Sequence, residues 1–143
     1  MGYFDQFPFF DHDPGALLKE EFDRLACAMN WNSRERRLQW DWCLRKEFQI
    51  HYGSEAKLDN WQRLCIDVGI TPQPTMAKCK KELKLVNVNI CHLIDARRTG
   101  RFPVRKFESY KALKQYTRQN NLFFPKKQAK KDGFISILLK RFF

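Results

Sequence analysis

Cations, rather than nucleophiles or metal ligands, are the chemistry-bearing residues that cluster along this chain. Lys78, Lys80, Lys81 and Lys84 fall within MAKCKKELK; Arg97, Arg98, Arg101, Arg105 and Lys106 within RRTGRFPVRKF; Lys126, Lys127, Lys130 and Lys131 within PKKQAKK. Ammonium and guanidinium groups at such density suit phosphate, which they neutralise while releasing its condensed counterions. In the second stretch the arginines interleave with Phe102 and Phe107, and rings beside cations offer bases a surface to stack on. The first two stretches also have a purely structural reading. The first lysines read as the solvated face of a helix, Arg97 and Arg98 as cations complementing the dipole at a helix end, and the two phenylalanines as core anchors. The third stretch opposes the dipole if it starts a helix, so a phosphate surface or a nuclear-import signal explains it better. None of the first lysines has an Arg, Asn or Gln beside it for bidentate base contact, which fits phosphates rather than base edges.

Motifs for other chemistry are missing. The chain has no P-loop, no G-x-G-x-x-G, no G-x-S-x-G and no H-E-x-x-H. His12, His51 and His92 stand far apart, with no partner at a ligand-like interval. The cysteines, at 27, 43, 65, 79 and 91, are odd in number and include no C-x-x-C, unlike a disulfide scaffold or a zinc site. Each falls in an apolar helical pattern, where free cysteine behaves as a small buried hydrophobe. Glu20, Glu21 and Asp23 suit the first turns of a helix. No catalytic residue, metal or cofactor is assigned.

Charge is divided unevenly. Of the formal net +11, residues 1–71 hold 9 Lys/Arg against 12 Asp/Glu, and residues 72–143 hold 18 against 4. An acidic half followed by a strongly basic one points to a polyanionic partner: nucleic acid, an acidic protein surface or anionic lipid. No apolar run approaches the ~20 residues of a membrane helix, and no basic stretch followed by an apolar one marks a secretory signal. An intracellular setting, nucleus or cytoplasm, is therefore expected.

The elements that must carry these cations are helices. Asp13-Pro14 reads as a helix start, with Leu18, Phe22, Leu25, Ala26 and Met29 recurring on one face. Ser33 opens a second helix that Gly53 ends; a third runs over about 56–68 and stops at Gly69. Thr75 caps a fourth, Asn87 a fifth that stops at Gly100, and Ser109 a sixth. Residues 101–107 read as an extended connector or short strand. Pro125 starts a short helix through Lys131, and FISILLKRFF reads as a last amphipathic helix. The fold expected is all-α: one domain of seven to eight short helices over residues 13–143, preceded by an aromatic arm, residues 1–12, folded back on the core. Residues 61–84 look like a helix-turn-helix corner whose second helix, 76–84, presents the first lysine cluster. Pro72 and Pro74 make its turn longer or stiffer than usual.

The run CKKELK…VNVNICHLIDARRTG…FPVRKFESYKALKQYTRQ…FFPKKQAKKDGFISILLKRFF resembles a set of small fungal proteins of unassigned function, and the resemblance covers about residues 59–143. The resemblance implies a fungal origin and a unit that recurs whole, and carries over no site residue. The function expected from the residues is non-catalytic binding of DNA or RNA by mainly electrostatic contact through the basic half. The alternative is a helical interaction module or homo-oligomeric regulatory subunit, with residues 3–10 or 134–143 meeting a protein partner or a second copy.

Overall fold

Short polar side chains start four of the helices by taking N–H groups that have no partner within the helix. Asn32 Oδ1 accepts from Glu35 N–H at 2.8 Å and opens α2 (Ser33–Tyr52). Thr75 Oγ1 accepts from Lys78 N–H at 3.2 Å and opens α4 (Met76–Leu83). Asn89 Oδ1, 2.8 Å from Cys91 N, opens α5 (Ile90–Thr99), and Ser109 Oγ, 3.1 Å from Ala112 N, opens α6 (Tyr110–Gln119). With α1 (Leu18–Met29), α3 (Leu58–Asp67) and α7 (Phe134–Leu139), these are seven α-helices among the described residues. They come from a computed structural model that describes residues 2–122 and 133–139, and no strand occurs among the described residues. The helix expected from Pro125, with its four lysines, lies outside them.

Three starts differ from expectation, the first by one residue, since Asn32 rather than Ser33 caps α2. Asp13 does not open α1; its carboxylate accepts from Gly15 N–H at 3.0 Å, an Asx turn that holds residues 13–16 out of the helix. Leu17, the residue before α1, offers no side-chain oxygen, and Asp95 of α5 supplies one instead, 2.7 Å from Leu18 N. Asn87 likewise leaves the cap to Asn89, because its own backbone carbonyl takes the Phe107 N–H at 2.8 Å. That contact, together with Val104 N–H to Asp67 O at 3.1 Å, lays the extended connector across the end of α3 and the exit of α4.

α5 lies across α1 and α2, while α3 packs on α4 and α4 on α7. One core joins them, with Trp61, Tyr52, Phe22, Leu64 and Ile94 fully or almost fully buried. The aromatic arm closes on this core as expected. Its first turn, Tyr3–Gln6, is a 3₁₀-helix; Tyr3 is 0% exposed and its ring lies 6.4 Å from Phe22 and 6.3 Å from Trp42. At the other end, Phe134 sits 4.3 Å from the Trp61 ring, and Ile137, Leu138 and Leu139 are buried beside it. The described parts of both apolar terminal segments, residues 3–10 and 134–139, therefore serve the protein's own core, and Phe9 is the large arm residue left well exposed. The corner between α3 and α4 is present, with residues 68–75 between the helices, longer than the three- or four-residue turn of a DNA-binding helix-turn-helix. Four cysteines are buried, but Cys27 is exposed near the end of α1, against the expectation for it.

Candidate functional site

Helical spacing divides the cations of α4 by role. Cys79 and Leu83 point into the core, so Lys78, Lys81 and Lys84 share the opposite, exposed side. Lys80 lies between the two faces and lays its ammonium 5.1 Å from the Trp61 ring centroid, a cation–π contact. Among the described residues neither Lys78 nor Lys81 pairs with a carboxylate.

The second cluster splits more sharply. Arg97 faces inward: its guanidinium meets Asp67 Oδ2 at 2.6 Å, and the Tyr52 hydroxyl donates to the same oxygen at 2.7 Å. Arg98 is buried further, its side chain 3% exposed against Glu47 at 6%. It bonds Glu47 Oε1 at 3.4 Å, the Ala16 carbonyl at 2.6 Å and the Asp13 carbonyl at 2.8 Å. Glu47 also receives the Tyr3 N–H at 2.9 Å, so this one pair ties together the arm, the turn before α1, α2 and α5. Neither arginine can serve as a surface phosphate contact while these bonds hold. Both are corrected here to structural cations that answer carboxylates of the opening helices.

Past Gly100, which ends α5 in the left-handed conformation at φ +74°, the chain turns outward. Arg101, Arg105 and Lys106 are exposed and none has a carboxylate partner among the described residues. Val104 and Phe107 anchor the segment by burial, as expected for Phe107, whereas Phe102 is 43% exposed. Arg105 is held by rings: its guanidinium carbon lies 4.5 Å from the Phe107 centroid and 4.9 Å from that of Tyr116. Lys106 runs along the backbone near Gly69, at the end of α3.

Arg101 and Arg105 edge a cleft of about 550 Å³ between the start of α1, α5 and the end of α6. Its floor is a single stripe of α5, His92, Asp95, Ala96 and Thr99, at helical spacing. Burial pushes the Asp95 carboxyl up, with Glu20 adding to the rise against the Leu18 N–H and Arg98. Burial, helped by Arg105, lowers His92, whose Nε2 lies 3.0 Å from the Tyr116 hydroxyl. Cys91, also at the cleft, is 1% exposed and burial raises its thiol well above the ordinary value, the reverse of an activated nucleophile. Among the described residues no group of three or more His, Cys, Asp or Glu is arranged to hold a metal ion.

One basic face was not singled out by residue type. On α6, Lys111, Gln115, Arg118 and Gln119 are exposed together while Leu113 and Thr117 face the core. Its signal was periodicity, a polar stripe without an acid, in a helix whose cations are spread too thinly to form a run. Lys126, Lys127, Lys130 and Lys131 lie outside the described residues. Also among the described residues, no helix is long and apolar enough to cross a membrane. Comparison with protein-family models, with curated proteins and with solved structures finds no match.

Proposed function

We propose that this protein binds nucleic acid without catalysis, holding phosphates with Lys78 and Lys81 of α4, with Lys84 at its C-terminal cap, and with Arg101, Arg105 and Lys106 of the connector. The supporting observation is the way ion pairs are distributed. Among the described residues, the paired carboxylates Glu21, Asp23, Asp41, Glu47 and Asp67 are answered by cations of their own half or by Arg97 and Arg98. Five of the twelve carboxylates of residues 1–71 are thus matched internally, while Lys78, Lys81, Arg101, Arg105 and Lys106 have no carboxylate partner among the described residues and keep their charge for an external anion. Exposed α6, with Arg118, Gln115 and Gln119, adds side chains able to reach base edges.

If about six phosphates are contacted, affinity for a DNA duplex or an RNA falls about a thousandfold between about 50 and 200 mM salt. Lys78→Ala with Lys81→Ala should reduce the salt slope by about two, uniformly across sequences. Fluorescence titration at several salt concentrations reads both, and absence of binding at low salt ends the proposal.

A second reading, a helical interaction module, draws support from α2. There Leu38, Trp42 and Ile50 are exposed at multiples of four residues, an apolar ridge interrupted by Lys46. A salt-insensitive dimer in light scattering, with no affinity for nucleic acid, would favour it over the first.

A further inference from the structure

The Phe102 ring is left at the surface, 43% exposed, instead of anchoring the connector in the core. Phe9, Trp42 and Phe102 are the exposed phenylalanine and tryptophan rings among the described residues. The first two stand in the acidic half. Phe102 directly follows Arg101 and precedes Arg105 and Lys106, the connector cations without a carboxylate partner among the described residues. Phe107, the other ring of this stretch, is not available in the same way. It is 9% exposed, and its ring lies against the Arg105 guanidinium at 4.5 Å and Tyr116 at 5.0 Å.

Phe102 is also held in place, and Asp67, the last residue of α3, does the holding twice. Its carboxylate fixes Arg97 at 2.6 Å, and the Arg97 guanidinium carbon stands 5.3 Å from the Phe102 centroid. Its backbone carbonyl takes the N–H of Val104 at 3.1 Å, two residues past the ring, and Val104 is 5% exposed. Pro103, between them, packs beside Gly69. A ring fixed before binding loses little freedom when a second ring stacks on it.

We infer that Phe102 is a stacking platform for one unpaired base of a single-stranded nucleic acid, with Arg101, Arg105 and Lys106 on the adjoining phosphates. Every base offers a π-face, so the contact carries no base preference. Bases of a duplex are already stacked on one another and offer no face to a ring on a surface connector. The connector exposes Phe102 and Pro103 as its apolar residues, which is little to bury in a lipid surface. The inference rests on the nucleic-acid reading for its phosphate contacts and adds the strandedness of the ligand.

Fluorescence anisotropy of the whole chain with a thymine strand, an abasic strand and a duplex of similar phosphate number tests it. The thymine strand is expected to bind about tenfold more tightly than the abasic one, the usual worth of one stacked base. Phe102→Leu should remove that gain and leave the abasic strand and the duplex unchanged, while Phe102→Trp should keep it. Should Phe102→Leu not fold, the two strands compared in the native protein and in Phe102→Trp decide. Equal affinity for both strands in the native protein, or a gain that survives Phe102→Leu, overturns the inference. If that base-blind binding is strong and salt-sensitive, the phosphate surface stands without the platform. A loss in Phe102→Leu that is equal for all probes also overturns it, since the ring would then act through the shape of the connector. Absence of binding to every probe, or attachment to phosphatidylserine vesicles alone, removes the platform and the nucleic-acid reading together.

Discussion

Arg98 and Arg101 are three positions apart in one basic run, and their surroundings give them different work. Arg98 is enclosed by Glu47, Ala16 O and Asp13 O, while Arg101 is exposed with no carboxylate partner among the described residues. Removing one member of a buried ion pair leaves the other charged and poorly solvated, at a cost of about 3–5 kcal/mol. Arg98→Met should therefore lower unfolding free energy by about that amount, because Glu47 would keep only the Tyr3 N–H. Arg101→Ala should change it by less than about 0.5 kcal/mol. Urea denaturation of the two variants decides the matter, and equal losses would mean that Arg98 is not the tie described.

At the scale of elements, a cap matters in proportion to what else its side chain holds. Thr75, exposed at the start of α4, serves one N–H group. Asn89 is 5% exposed; besides Cys91 N–H it bonds Thr117 Oγ1 of α6 at 3.2 Å and reaches the Leu122 carbonyl at 3.5 Å. Thr75→Ala should cost about 1 kcal/mol, the usual value of a surface cap. Asn89→Ala should cost about 2–3 kcal/mol, since it also leaves buried polar atoms without partners. Thermal or urea unfolding measures both, and similar losses would show that α6 does not depend on the α5 cap.

Across the whole molecule, titrating groups link stability to pH. Burial lowers His92 below the ordinary 6.5, with Arg105 adding to the effect. Burial also lowers His51; Arg98, Arg97 and Arg63 reinforce this, and Glu47 opposes it. Below 6.5 the unfolded chain binds more protons at these sites than the folded one, so their contribution is full above 6.5 and declines as pH falls. Glu21 acts lower in the scale: burial raises it, but bonds from Asp13 N–H, His12 and Arg24 prevail and hold it below 4.5, so its contribution is lost in acid. Asp41 and Asp95, both raised by burial, change in the opposite sense. The melting temperature should fall between about pH 7.5 and 5.5, and the decline should be shallower in a His51→Gln, His92→Gln variant. An identical slope in that variant would remove the histidines from the account.

Local rules were enough to place most elements. Thr75, Ser109 and Gly100 act at the positions where their side chains or backbone freedom are needed, and apolar periodicity marks the inward face of most helices, α2 with its exposed Leu38, Trp42 and Ile50 excepted. The uneven charge of the two halves is likewise a property of the chain alone. Tertiary structure decided which of the neighbouring arginines face a carboxylate and which face solvent. It also placed Asp95 at the start of a helix 77 residues away in sequence and set Tyr116 beside Arg105 at the edge of a cleft. Those outcomes depend on distances between helices, and no pattern within a single helix encodes such distances.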